Sequence, residues 1–240
     1  MLKCDTDNGL CQVSDFAPVG PGHLKPVRHD VAVHYIGDPM CSWCWGISST
    51  VHQVAAFCAA ENMVFSMTMG GLRAGGGDAW DATFKNFLRN EWHHIAQVTG
   101  QPFGYSLLEL PYFNYDTEPA CRAVVTVQLL EMESNLSPSI ALDFFAAIQR
   151  KFYVEGCDPK LTDFYQDICE SLGINFDSFR QLFESPAAKL AVKQVFLRSR
   201  QWNVRAFPTL LLERNGTTTP LVFGFAHTDQ VLAKLRQLIG

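Results

Sequence analysis

The sequence predicts an α/β protein in which a β-α-β unit and a later α-β-β-α unit flank a long helical insertion. Three observations carry this. The apolar run Val31-Ala32-Val33-His34-Tyr35-Ile36 leads into a segment with a helical stripe at Cys44, Ile47, Val51, Val54 and Cys58. Val64-Phe65-Ser66-Met67-Thr68-Met69 then alternates as a sheet strand does, and two strands joined through one helix imply parallel pairing with a right-handed crossover. Near the C-terminus, Thr209-Leu210-Leu211-Leu212-Glu213 and Leu221-Val222-Phe223-Gly224-Phe225 flank Arg214-Asn215-Gly216, and an Asn-Gly turn between such runs predicts a hairpin. From Asp78 to about Glu184, by contrast, no strand pattern appears.

The totals set bounds. A chain of 240 residues has room for one large domain or two modest ones. Hydrophobic residues at 48% and charged residues at 18% describe an ordinary globular protein. A net charge of −5 gives no electrostatic case for nucleic acid or an anionic membrane. No apolar run approaches the ~20 residues of a membrane span. The opening Met1-Leu2-Lys3-Cys4-Asp5-Thr6-Asp7-Asn8 lacks the apolar centre of a signal peptide, so a chain complete at this methionine is expected in the cytoplasm. Eight cysteines are too few for a disulfide-stapled scaffold; in a reducing compartment a Cys-x-x-Cys pair serves catalysis or metal binding.

Taken in order, residues 1–30 form an arm punctuated by Pro18, Gly20, Pro21, Gly22 and Pro26. Cys4 and Cys11 lie in it around the turn-forming Asp7-Asn8-Gly9, either as exposed thiols, as an auxiliary redox pair or as half of a metal site. The first core strand, Val31 to Ile36, ends at Gly37-Asp38-Pro39, and a helix runs from Cys41 to about Ala60. The second strand is Val64 to Met69. Gly70-Gly71-Leu72-Arg73-Ala74-Gly75-Gly76-Gly77 lacks the Gly-x-x-x-x-Gly-Lys-Ser/Thr order of a phosphate loop. It reads as a flexible hinge into a new region, with Arg73 a candidate neighbour of the active site.

The insertion reads as helical throughout. One helix opens at Thr117-Glu118-Pro119 and runs to about Met132, with proline in its first turn. A second opens at Ser137-Pro138 and stops at Gly156, a third is capped by Asp158-Pro159 and stops at Gly173, and a short fourth carries Phe176, Phe179 and Phe183. Ser185-Pro186 starts a helix to about Trp202, and the last helix bears Val231, Leu232, Leu235, Leu238 and Ile239. The expected division is therefore 31–74 with 186–240 as the sheet-bearing domain, 75–185 as the inserted helical domain, and 1–30 as the arm.

The chemistry concentrates in Asp38-Pro39-Met40-Cys41-Ser42-Trp43-Cys44-Trp45-Gly46. A strand turning into a helix whose first turn carries Cys-x-x-Cys is an arrangement for disulfide exchange. Cys41 lies at the helix opening, where unpaired N–H groups and the dipole favour a thiolate; Cys44 begins the apolar stripe and faces the core. Cys41 is thus expected as an exposed nucleophile and Cys44 as the sheltered resolving thiol. Trp43 lies between them as part of an apolar substrate surface, and Trp45 and Phe207 are expected near the same thiols. Cys58, Cys121, Cys157 and Cys169 fall within or beside apolar helical patterns and read as small buried hydrophobes. A zinc site wants four ligands, often two close pairs, and only one Cys-x-x-Cys exists, so no metal is expected. His93 and His94 are adjacent on a helix, point in different directions and read as surface residues.

The strings Asp38 to Gly46, Gly70-Gly71-Leu72-Arg73, Thr117-Glu118-Pro119-Ala120-Cys121-Arg122, Phe152-Tyr153-Val154-Glu155-Gly156 and Phe207-Pro208-Thr209 resemble the DsbA-like branch of the thioredoxin fold. Within it they look like the bacterial predicted protein-disulfide isomerases related to FrnE. The resemblance covers nearly all of Val31 to Gly240. It implies a thioredoxin fold with a helical domain inserted after the second strand. It also implies a cis Pro208 facing the Cys-x-x-Cys, with the backbone of Phe207 presented to an extended substrate, and exchange with protein or peptide thiols and disulfides. No cofactor is implied beyond glutathione as a candidate redox partner. Where the family's periplasmic oxidant carries Pro-His between its cysteines, this chain has Ser42-Trp43, and Tyr35 stands where thioredoxin has a buried acid. These differences speak against strong oxidising power and leave the direction of exchange open. The competing readings are a glutathione-dependent transferase or isomerase of the kappa-class or hydroxychromene-carboxylate isomerase type, which usually lack Cys-x-x-Cys, and a peptide-binding chaperone with incidental thiols.

Overall fold

The computed structural model describes residues 2–4, 11–13, 28–133 and 136–240. Strands β1 (Leu2–Cys4) and β2 (Cys11–Val13) pair antiparallel, with Cys4 opposite Cys11 in the backbone register. The thiols of that pair, and the rest of residues 1–27, lie outside the described residues.

The main sheet has four strands, β3 (Arg28–Gly37), β4 (Met63–Met69), β5 (Thr209–Arg214) and β6 (Thr217–Phe223), in the order β4-β3-β5-β6. β3 pairs parallel with β4 and antiparallel with β5, and β5 with β6 is antiparallel. Because β3 has a neighbour on each side and layers above and below, it reads as an apolar run rather than an alternation; Val31, Val33, Tyr35 and Ile36 are all fully buried. His34 is its polar exception. Its two ring nitrogens meet Ser66 Oγ on β4 at 2.6 Å and Glu213 Oε2 on β5 at 2.8 Å, a rung across three strands. The hairpin between β5 and β6 turns at Asn215 and Gly216, both left-handed (φ 52° and 76°), as a two-residue loop requires. β6 begins at Thr217, earlier than the apolar pattern predicts, because its first half is an exposed edge of threonines that tolerates Pro220.

The helices are α1 (Ser42–Gly46) and α2 (Ser48–Ala60) between β3 and β4, then α3 (Ala82–Thr99), α4 (Glu118–Glu133), α5 (Ile140–Tyr153), α6 (Gln166–Ser171) and α7 (Phe176–Glu184). After them come α8 (Pro186–Gln201) and α9 (Thr228–Ile239). The helix expected over 41–60 is divided at Ile47. At the break α3 packs closely: a Cβ on Gly46 would lie 3.0 Å from Thr99 and 3.1 Å from Ile95.

Two expectations for the insertion are corrected. Asp158 caps no helix; its carboxylate accepts from Lys160 N (2.9 Å) and Lys160 Nζ (2.8 Å), and a 3₁₀ turn (Thr162–Tyr165) precedes α6. Residues 100–117 contain no α-helix, only the 3₁₀ turn Ser106–Glu109, since Pro102, Gly104 and Pro111 interrupt the ladder. What holds this segment is aromatic packing: Phe103 stacks on Trp92 at 5.7 Å, and Phe113 and Tyr115 pack around Phe152. The glycine-rich stretch after β4 is not a free hinge either. Gly75 N–H donates to Asp116 Oδ1 (2.7 Å), Gly77 N–H to Asn114 Oδ1 (3.2 Å) and Gly76 N–H to Arg73 O (2.9 Å). One continuous apolar cluster runs from Val31 and Val33 under the sheet through Trp92, Phe144, Phe152 and Phe179 to Leu235.

Candidate active site

β3 delivers the chain to the site. At its end Gly37 is required by space, because a Cβ there would lie 2.5 Å from the Tyr35 hydroxyl. The next residue, Asp38, is fully buried and its carboxylate ties three separate segments together. Oδ1 accepts from Met40 N–H at 2.8 Å; Oδ2 accepts from Leu72 N–H at 2.7 Å and from the Cys121 thiol at 3.4 Å. These donors favour the ionised form, but burial opposes it more strongly, and the carboxyl is held above its ordinary range. The Arg73–Thr117 contact closes the same knot, Arg73 N–H donating to Thr117 Oγ1 and Thr117 N–H to Arg73 O.

With the turn locked, Cys41 becomes the N-cap of α1, in extended conformation, its N–H bonded to Asp38 O at 3.0 Å. The Phe207–Pro208 peptide bond is cis and lies against it, so that the Cys41 thiol points at Phe207 O, 3.6 Å away. This covering segment corrects the expectation of an exposed thiol: Cys41 retains only 5% exposure. Cys44 has none, as a position on the inward stripe should. Burial pushes its thiol well up, and the adjacent Cys41 pushes it the same way. Both are free thiols. Tyr35 presents its hydroxyl toward Cys44 without a hydrogen bond of normal geometry.

The aromatic residues divide. Trp43 is half-buried on the outer side, beside Phe225 (6.0 Å) and His94 (5.8 Å). Trp45 is core, its indole N–H donating to Pro102 O at 3.0 Å. Phe207 contributes its carbonyl to the thiol, while its ring lies over Gly70, so the three do not form one cluster. Arg73 stands one layer out, paired with Asp78 and lying over Phe84 and Tyr115; the Tyr115 hydroxyl donates to Met40 O at 2.9 Å.

Among the remaining thiols Cys58 and Cys169 are buried and pushed up to about 12, and Cys157 is half-buried. Cys121 is buried but is not a passive filler: it donates to Asp38, and burial together with that carboxylate raises it well above an ordinary thiol. Sequence reasoning missed this contact and that of His94 with Trp43. The first spans 83 positions, and its one signal was that both strings carried the family resemblance. Among the described residues no three His, Cys, Asp or Glu side chains converge as a metal site would need, and no helix is long and apolar enough to cross a membrane.

No protein-family model matches the sequence, and no curated protein does. Solved structures do. A candidate protein disulfide isomerase from Nitrosomonas europaea is 31% identical, with 88% of this chain and 98% of that one covered and a TM-score of 0.77. The cytosolic disulfide reductase DsbM from Pseudomonas aeruginosa is 25% identical over 87% of this chain and 98% of its own, with a TM-score of 0.66; its structure with GSH is matched at 24% over the same shares, with a TM-score of 0.65. A 2-hydroxychromene-2-carboxylate isomerase, at 15% identity and a TM-score of 0.58 over 87% of this chain and 94% of its own, shares the fold alone.

Proposed function

This chain belongs to the DsbA-like thioredoxin-fold family, and from that premise we propose that it is a thiol–disulfide oxidoreductase acting on protein or peptide substrates through Cys41 and Cys44. The observation that carries this is the placement of Cys41 at a helix opening, against the carbonyl before a cis-proline, with Cys44 sealed beneath it. The Cys41 thiolate attacks one sulfur of a substrate disulfide. A Cys41–substrate bond forms, the substrate S–S bond breaks, and the leaving thiolate takes up a proton. Cys44, once deprotonated, attacks Cys41 sulfur and releases the second substrate thiol, leaving Cys41–Cys44 oxidised by two electrons. An external thiol, with glutathione the small-molecule candidate, restores the pair; oxidation of a dithiol runs the same steps backwards. The backbone of Phe207 offers an extended substrate a strand to pair with, and Trp43 an apolar flank.

Reduction or isomerisation suits the site better than strong oxidation. A strong oxidant is one whose reduced form is stabilised. Here the residues between the cysteines, Ser42 and Trp43, carry no positive charge that would stabilise a Cys41 thiolate. The likeness to a cytosolic reductase agrees with this direction and with a cytoplasmic setting. The glutathione-dependent isomerase reading rests on fold likeness alone.

Insulin reduction with glutathione as electron donor tests the proposal. Wild type is expected to turn over, Cys41→Ser to fall to background, and Cys44→Ser to accumulate a Cys41–substrate mixed disulfide visible by mass. Activity retained in Cys41→Ser refutes the mechanism; holdase activity that survives while exchange is absent even in wild type favours the chaperone.

A further inference from the structure

Beside the cis-proline, a cavity of about 410 Å³ opens between the Gly70–Leu72 turn, the C-terminal end of α8 and the segment leading to Phe207. Phe207 belongs to both places: its ring lines the cavity and its carbonyl faces the Cys41 thiol. The turn side is kept bare by glycine, since a Cβ on Gly70 would lie 2.1 Å from the Phe207 ring.

Two exposed cations and one buried hydroxyl line this cavity without a partner among the described residues. The guanidiniums of Arg200 and Arg205 make no hydrogen bond or ion pair with another described residue. Elsewhere Arg73, Arg89, Arg122 and Arg180 each face a carboxylate, Arg214 a backbone carbonyl, and Arg198 and Arg236 an aromatic ring. Ser199 is only 1% exposed and its hydroxyl has no partner, although helical serines commonly bond the preceding turn. Buried polar groups of this kind are rare and need an explanation. A basic residue in the last turn of α8 would offset the helix dipole, which accounts for Arg200. It does not account for Arg205, four residues beyond the helix end, or for Ser199. In a chain of net charge −5, two exposed cations without a carboxylate partner and a buried orphan hydroxyl, lining a cavity that shares Phe207 with the thiol site, form a cradle for an anion.

We infer that Arg200, Arg205 and Ser199 form a carboxylate-binding subsite that selects substrates carrying an acidic group next to the reacting cysteine. The inference rests on the exchange reading above and names its substrate class. The carboxylate comes either from an acidic residue in a protein segment or from a small thiol peptide, and both are read by the same groups.

Binding is measured on the full chain carrying Cys41→Ser, so that no exchange occurs, with a pentapeptide holding S-methylcysteine between two glutamates and with its glutamine counterpart. The glutamate peptide should bind about three- to tenfold more tightly at low salt, the scale of one or two solvent-exposed charge pairs, and the gap should close near ~0.5 M salt. Adding R200Q and R205Q should bring the ratio to about one, and Ser199→Ala should lower it. Arg198→Gln, on the same helix but lining a separate cavity with Phe65 and Met67 of β4, should leave it where it was. Equal affinities, or a ratio unmoved by R200Q and R205Q, overturn the inference. With the Cys41-bearing protein, kcat/KM is compared for the disulfides of the two parent cysteine peptides. Exchange without a glutamate preference sinks the subsite and leaves the enzyme; a binding preference without exchange does the reverse. Whether glutathione disulfide or an acidic ten-residue peptide disulfide responds to R200Q and R205Q identifies the source, and a response from neither overturns the subsite.

Discussion

At the residue scale Asp38 decides most. A fully buried carboxylate is costly unless hydrogen-bonded, and its bonds to Met40 N–H, Leu72 N–H and the Cys121 thiol make the turn before Cys41 a fixed object. Its acidity has a signature. The folded carboxyl titrates above the unfolded value of ~3.9, so the folded state holds the proton more tightly. The stability it contributes is therefore complete below about pH 4 and declines as pH rises through the folded value. Asp38→Asn is expected to lower stability by about 1–3 kcal/mol, because an amide cannot accept at both positions. The gap to wild type should be widest near pH 4 and narrow above it. Urea unfolding of both proteins from pH 4 to 8 measures this, and a constant gap contradicts it. The sequence showed the inequality of Cys41 and Cys44 but not the covering of Cys41, because the cover comes from 166 positions away.

At the element scale the site is where β3, the Gly70–Leu72 turn and the start of β5 meet. Gly70 is the tight point, its missing side chain making room for the Phe207 ring. Gly70→Ala should force that ring, and the Phe207 carbonyl with it, away from Cys41. Overpacking of this kind costs about 1–3 kcal/mol, and misplacement near a reacting group can cost up to about a hundredfold in rate. The variant is thus expected to lose about ten- to a hundredfold in insulin reduction while keeping the wild-type far-ultraviolet dichroism; an unchanged rate would show that Phe207 is not held by this contact. The order of elements was legible because each core strand and most helices carry their own period and stop signals. Ser185 is the clearest case, its hydroxyl accepting from Ala188 N–H just before Pro186. The break at Ile47 and the irregular path of 100–117 were not legible, since α3 and the aromatic residues around Trp92 impose them from outside.

For the whole molecule, one apolar core joins the sheet to the helices between β4 and α8. The apolar cluster is continuous from Val33 to Phe179, with Tyr35 of β3 edge-on to Phe145 of α5 at 5.8 Å. Urea unfolding followed by far-ultraviolet dichroism and by tryptophan fluorescence should therefore give one coincident transition. Two separated midpoints would establish two independently stable domains.

By itself the sequence determined the order of the four main-sheet strands, the hairpin between the last two, the Cys-x-x-Cys at a helix opening and which cysteine faces inward. All of these follow from local periodicity and from steric preferences of neighbouring residues. The tertiary structure alone decided that Asp38 meets Leu72 and Cys121, that Phe207 lies on Gly70 and shields Cys41, and that Arg200 and Arg205 line one cavity with the Gly70–Leu72 turn. Those are contacts between segments from tens to more than a hundred and sixty residues apart, and packing rather than any local pattern selects them.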